Sequence, residues 1–251
     1  DHMRFLAIDT SSNLLSLALY NNQNIIAFEN NLSQMQHGVL LLPKIKELLS
    51  SNQVTAKEID GIIIGMGPGS YTGLRIGVTA AKMWAVSQNI PVYPVSSLAV
   101  MALSVDPSDK KVAIVPIVDA RRESCYTAVY QADATEEFKT ILEDSHSDWR
   151  LWLENNASIL SQYDEIVFVG HQIENFEPLV KEVLPDSNYR WVDDVSALPR
   201  MERSVRLIKE PIADIDLLSP NYAQLTLAER EWLEKKEQVD GYDTLVDTTI
   251  N

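Results

Sequence analysis

One cysteine, four histidines and nine glycines among 251 residues set the first limits on this chain. A single thiol, Cys125, excludes an internal disulfide and any zinc site built from several cysteines. The histidines fall at 2, 37, 146 and 171, with no His-x-x-x-His pair, so no helix face carries two imidazoles able to grip one ion. Positive charge is also short: 21 Lys+Arg stand against 36 Asp+Glu, a net charge of −15. Such a surface repels phosphate backbones, so unaided binding to nucleic acid is not expected unless a small basic patch, the chain's own or a partner's, supplies it. No apolar run approaches the ~20 residues of a membrane span, and the start lacks a secretory signal pattern. A cytoplasmic protein without membrane contact is the expectation. What remains, 45% hydrophobic and 23% charged residues, is ordinary for a chain that buries a core.

Strand-like runs Arg4–Thr10, Leu14–Tyr20 and Ile25–Asn30 read as an antiparallel meander. Helical spacing follows over Gln34–Ser50, then the continuous apolar strand Ile59–Gly65, then a helix over Tyr71–Gln88. A short strand begins near Pro91, and a short helix spans about Ser96–Leu103. After Asp106-Pro107-Ser108-Asp109 the order restarts: strands Lys111–Asp119 and Ser124–Tyr130, helix Asp148–Tyr163, strand Glu165–Gly170 and helix Glu174–Leu184. The second copy reads as degraded. An α/β fold of two related halves is expected, with residues 4–105 in the first, 106–225 in the second, and a helix and tail over 226–251. Thr226–Lys236 reads as a charged helix and Gln238–Asn251 as frayed.

The segment Gly65–Gly77, "GMGPGSYTGLRIG", raises the question of a phosphate loop. A Walker loop needs a lysine directly after its last glycine, and none is there. The dinucleotide fingerprint needs a third glycine three residues after the second; Ser70 and Thr72 hold those places. The segment instead supplies a tight turn at Gly67-Pro68-Gly69 and a helix cap at Ser70 or Thr72. Within the helix, Gly73, Gly77 and Ala81 fall four apart and share one face. Each interior glycine costs roughly 1 kcal/mol of helix stability, so the bare stripe implies a close approach. Spacing alone leaves two partners for it, a foreign helix or the protein's own sheet.

"LAIDTSS…LSLALY", "IDGIIIGMGPGSYTGLRIGVTAAK", "IPVYPVSSL" and "VDARRESCYTAVY" together resemble the TsaB (YeaZ) family, from Phe5 to about Tyr130 and again, weakly, at "SPNYAQLTLAE". The resemblance implies an actin-like ATPase fold (ribonuclease H-like, shared with sugar kinases). It implies a part in making N6-threonylcarbamoyladenosine beside the anticodon of tRNAs that read codons beginning with A. It further implies a non-catalytic subunit that pairs with the threonylcarbamoyltransferase TsaD, joined by TsaE and ATP, with tRNA met only through the complex. No cofactor is expected of this chain itself; ATP and Mg²⁺ belong to the assembly. TsaD-like chains carry a histidine pair after the strand corresponding to "PVYPV", where this sequence has Ser97 and Met101, neither a good ligand for a hard ion. No metal site is expected.

The docking face is placed on the two helices of the first half, at His37, Leu41, Ile45, Gly73, Arg75, Gly77, Ala81 and Trp84. One such surface would serve both TsaD and a self-dimer. For a residual nucleotide cleft the candidates are Asp9, Thr10, Ser11, Gly67, Gly69 and Asp119, at the strand-to-turn junctions where actin-like proteins contact phosphate. The plainer reading of Asp9-Thr10-Ser11 is a turn tied by its own side chains. Arg121 and Arg122 can pair with a phosphate or a carboxylate, or close a turn. "ESCYTAVY" reads as a strand with Cys125 as core filler. The rival expectation is an autonomous ATP-dependent small-molecule kinase, with Asp9 as its essential acid.

Overall fold

The computed structural model describes residues 2–33, 36–133 and 138–218. Two five-stranded sheets share one strand order. In the first half β1 (Arg4–Asp9), β2 (Leu14–Asn21) and β3 (Asn24–Leu32) form the antiparallel meander. Helix α1 (His37–Ser51), β4 (Gly61–Gly65), α2 (Tyr71–Gln88), β5 (Val92–Val95) and α3 (Ser97–Ala102) follow. The sheet runs β3-β2-β1-β4-β5, with β1, β4 and β5 mutually parallel.

The second half repeats it. Strands β6 (Val112–Asp119), β7 (Ser124–Ala132) and β8 (Phe138–Asp148), helix α4 (Trp149–Leu160), β9 (Glu165–Gly170), helix α5 (Glu177–Val183) and β10 (Tyr189–Asp193) give the order β10-β9-β6-β7-β8. The repeat is therefore complete rather than degraded. Strands β8 and β10 are the two elements that sequence reading lacks, and both are sheet edges. Edge strands need no apolar alternation, and "KTILEDSHSD" shows how polar such a strand can be.

Local chemistry accounts for the elements. The run "GIIIG" is buried throughout because β4 lies inside the sheet with both faces covered. Helix α2 starts where the Ser70 hydroxyl accepts from the Gly73 N–H at 3.2 Å and stops at Asn89 in the left-handed region. Helix α4 is capped by Asp148, whose carboxylate accepts from the Leu151 N–H at 3.0 Å. Helix α3, "SLAVMA", is buried all round, as an apolar helix wedged between two layers must be. It packs against β6, β7 and β9 of the second half and hydrogen-bonds back to the first.

Residues 199–218, placed by sequence in the second half, run back over the first. A 3-10 turn at Met201–Leu207 lies beside α3 on the face of the first sheet opposite α1 and α2. There the Met201 N–H donates to Ser16 Oγ at 2.7 Å, and the Tyr20 hydroxyl donates to the Met201 carbonyl at 2.5 Å. The chain then rounds the β5 edge, where the Ile212 N–H donates to the Val92 carbonyl at 2.8 Å, and Leu218 enters the opposite core. The expected tail over 226–251 lies outside the described residues.

Candidate functional site

The first hairpin turn joins β1 to β2, and its acid looks inward. Asp9 is fully buried. One carboxylate oxygen accepts from the Ser11 N–H at 2.8 Å and the Ser11 hydroxyl at 2.6 Å; the other accepts from Ser97 Oγ at 2.6 Å. Ser97 Oγ in turn accepts from the Gly67 N–H at 3.0 Å, so one carboxylate ties β1, the glycine loop and α3 together. Burial raises the Asp9 pKa above its ordinary value, although the hydrogen bonds from Ser11 and Ser97 act in the opposite sense. Thr10 is likewise buried and donates its hydroxyl to the Gly73 carbonyl at 2.6 Å.

These contacts decide the glycine question. A Cβ built on Gly73 would overlap the Thr10 carbonyl oxygen, one on Gly77 the Thr10 hydroxyl, and one on Gly65 the Asp9 carboxylate. Gly69 is bare because the Ser11 carbonyl stands beside it. The close approach is intramolecular: helix α2 lies on the protein's own hairpin turn. Gly73, Gly77 and Ala81 are thus corrected from docking residues to internal packing, all three being buried.

Three more of the expected interface residues turn inward. His37 is buried, and its Nε2 must carry the proton it donates to the Ser12 carbonyl at 2.6 Å, since a carbonyl only accepts. That bond ties α1 to the same hairpin turn. Leu41 and Ile45 are core residues that floor the space between α1 and α2. Only Arg75, exposed, and Trp84, half-buried, stand on an open surface.

Between the halves lies a cleft of about 600 Å³, lined by both hairpin turns, Ser70, Met101, His171 and Gln172 among others. Of the six nucleotide candidates it collects Ser11, Gly69 and Asp119; Asp9, Thr10 and Gly67 are drawn into the interior. For the Mg²⁺-nucleotide that this fold class implies, Asp9 is not free to serve, being buried and already holding three donors; of the two candidate carboxylates only Asp119 faces the cleft. The kinase reading loses its acid on the same ground. At the second hairpin turn, Asp119 accepts from the Arg121 N–H at 2.8 Å, while Arg121, Arg122 and Glu123 all take positive φ. Three successive non-glycine residues in the left-handed region mark a strained turn. Cys125 sits next to it in β7, and burial pushes its thiol pKa up to about 12, as befits core filler.

One open surface of the first half is the outer side of α1 and α2; edge strand β3 also exposes apolar side chains, Phe28 and Leu32 among them. Val39 (76% exposed), Leu42 (65%), Met83 (67%) and Val86 (60%) project from the two helices with Tyr71. A groove of about 470 Å³ runs between the helices, lined by Gly38, Leu42, Ile76, Ala80, Met83, Trp84 and others. Solitary exposed apolar residues are unremarkable; four of them on two adjacent helices are not. Two signals in the sequence bear on this face. "VLLL" at 39–42 cannot turn every side chain to one core, and α2 carries apolar residues on both flanks of its buried stripe.

Two sheets with one shared strand order, packed through a buried helix, define the actin-like class of α/β proteins. Sequence and structure comparison carry the assignment further. The family model described as TsaD, tRNA N6-adenosine threonylcarbamoyltransferase, matches residues 29–198. The Bacillus subtilis protein described as tRNA threonylcarbamoyladenosine biosynthesis protein TsaB is 33% identical over 238 residues, covering 94% of this chain and all of that one. The Escherichia coli protein of the same description is 35% identical over 132 residues, 52% of this chain and 56% of its own. The solved structure of YeaZ from Pseudomonas aeruginosa superposes with a TM-score of 0.66 at 26% identity, covering 82% of this chain and 90% of that one. The chain belongs to the TsaB family.

Proposed function

We propose that this chain works in tRNA threonylcarbamoyladenosine biosynthesis as a non-catalytic subunit, and that it pairs with TsaD through the outer side of α1 and α2. The observation that carries the reading is the set of exposed apolar side chains at Val39, Leu42, Met83 and Val86 on two adjacent helices. A helix-on-helix contact of standard size buries about 1,600 Å² in all, and a pair of helices of this length can supply it. The names of the relatives supply the pathway. TsaE joins the pair, ATP and Mg²⁺ act at the level of the assembly, and tRNA is met through the complex in the cytoplasm. The chain contributes a surface, and the chemistry belongs to TsaD. The buried, fully bonded Asp9 supports this division, because the first hairpin turn spends its acid on holding the fold together.

The test is a reconstitution from TsaC, TsaD, TsaE, ATP, threonine, bicarbonate and tRNA, with and without this chain. Modified adenosine is expected only when the chain is present. Replacing Leu42 and Met83 by Asp should abolish co-purification with TsaD and product formation together, with circular dichroism unchanged. Full product without the chain would contradict the proposal.

A further inference from the structure

We infer that the α1/α2 face selects an acidic partner, an apolar helical ridge flanked by Asp or Glu, in preference to a second copy of this chain. The inference rests on the docking reading above and adds its electrostatics. In a chain of net charge −15, helix α2 contains Arg75 and Lys82 and no acidic residue. Tyr71, Arg75, Lys82 and Val86 recur at 4, 7 and 4 residues and so share one stripe beside Met83. Arg75 lies over the exposed Tyr71 ring, 5.9 Å from its centroid, which holds the guanidinium at the edge of the apolar surface.

Across the groove, Lys46 stands one turn from Leu42, and Lys57 follows Ala56 at the groove wall. Among the described residues none of these four cations makes an ion pair. The nearby acids are already committed. Glu47 lies 3.6 Å from Lys44, which also holds Glu29 at 2.9 Å, and Glu58 is bonded to Arg4. The apolar face is therefore rimmed by unpaired positive charge on an otherwise acidic molecule.

Charge at an interface rim decides partner choice and encounter rate more than it decides affinity. A self-dimer across this face is isologous, and wherever α2 crosses its own copy at the two-fold each helix meets the same cations on its mate. With no acid on α2, no α2–α2 contact can close a salt bridge, and Arg75 and Lys82 repel their copies. A partner whose ridge carries carboxylates meets all four cations favourably. RNA phosphates would satisfy the cations as well. They would leave Val39, Leu42, Met83 and Val86 against a charged backbone, stripping its hydration for no return.

The experiment titrates TsaD of the same organism against the full chain, against R75E/K82E and against L42D/M83D, at low and at physiological salt. At low salt R75E/K82E should raise the Kd at least ~10-fold, and the gap should narrow as salt screens the rim. An equimolar mixture of R75E/K82E and unaltered chain should self-associate more tightly than either alone. Arg75→Glu by itself, on an exposed side chain, carries the same test should the double variant not fold. If R75E/K82E binds TsaD as the unaltered chain does while L42D/M83D does not bind, the charge inference is wrong and the docking reading stands. If L42D/M83D binds TsaD normally, the docking reading falls and takes the inference with it. Should the reversal instead remove salt-sensitive tRNA binding by the isolated chain and spare TsaD, the rim serves RNA and the inference is overturned.

Discussion

The two halves of this molecule share a strand order and differ in what covers them. In the first, α1 and α2 run 15 and 18 residues and leave Val39, Leu42, Met83 and Val86 in solvent. In the second, the corresponding helices α4 and α5 run only 12 and 7. They close over an aromatic core in which Trp149 stacks on Trp152 with centroids 5.3 Å apart and meets Phe168 and Phe176 edge-on. The Trp149 indole N–H is satisfied at 2.9 Å by the Phe176 carbonyl. On α4 and α5 only Leu151 is a large exposed apolar residue. One topology thus supplies a sealed half and an open half. Strand order dictates neither; helix length and the residues on the outer flank do.

The comparison can be broken from either side. The largest effect is expected at Gly73→Leu, whose side chain collides with the Thr10 carbonyl; the loss of at least ~3 kcal/mol should leave little folded protein by urea denaturation. A folded Gly73→Leu chain with impaired TsaD binding would return the stripe to the docking face. Next, Trp149→Ala in the sealed half should cost about 3–5 kcal/mol, because it empties a packed site and orphans a carbonyl. In the open half, Leu42→Ala with Met83→Ala should stay within about 0.5 kcal/mol of the unaltered chain, since neither side chain is buried. Equal costs in the two halves would erase the distinction.

Between these lies Asp9. Asp9→Ala leaves Ser11 and Ser97 without their acceptor and should cost about 2 kcal/mol, whereas Asp9→Asn keeps the shape and costs less. The pH dependence has a definite sign. A carboxyl raised in the fold from its ordinary 3.8 contributes stability that is full below that value and is lost as pH rises through the folded one. Urea midpoints of the unaltered chain should therefore fall relative to those of Asp9→Asn as pH climbs through that window. A constant difference across it would show that burial does not govern Asp9.

Most of the framework was legible in residues. "GIIIG" named a buried strand, the capped glycine segment named the start of α2, and the meander at 4–30 held with small shifts at its ends. The edges β8 and β10 were not, because a strand paired on one side needs no apolar period. Nor was the return of 199–218 to the first half, which depends on long-range bonds such as Ser16 to Met201. The glycine stripe shows the physical limit. Absent side chains state that something comes close, and only the folded chain shows that it is Thr10. Leu41 and Ile45 fit a helical face as well as Val39 and Leu42 do, and the spacing offered no way to tell which face the sheet would take.

The central claim, that the first half's open face is where TsaD docks, is tested most directly by hydroxyl-radical footprinting with mass spectrometry. Met83 and Leu42 report the open face, and Leu151 on α4 serves as the control at similar exposure (57%). On addition of TsaD, modification of Met83 and Leu42 should fall while that of Leu151 stays constant. A complex that forms with Met83 and Leu42 still modified at the rate of the free chain would contradict the account.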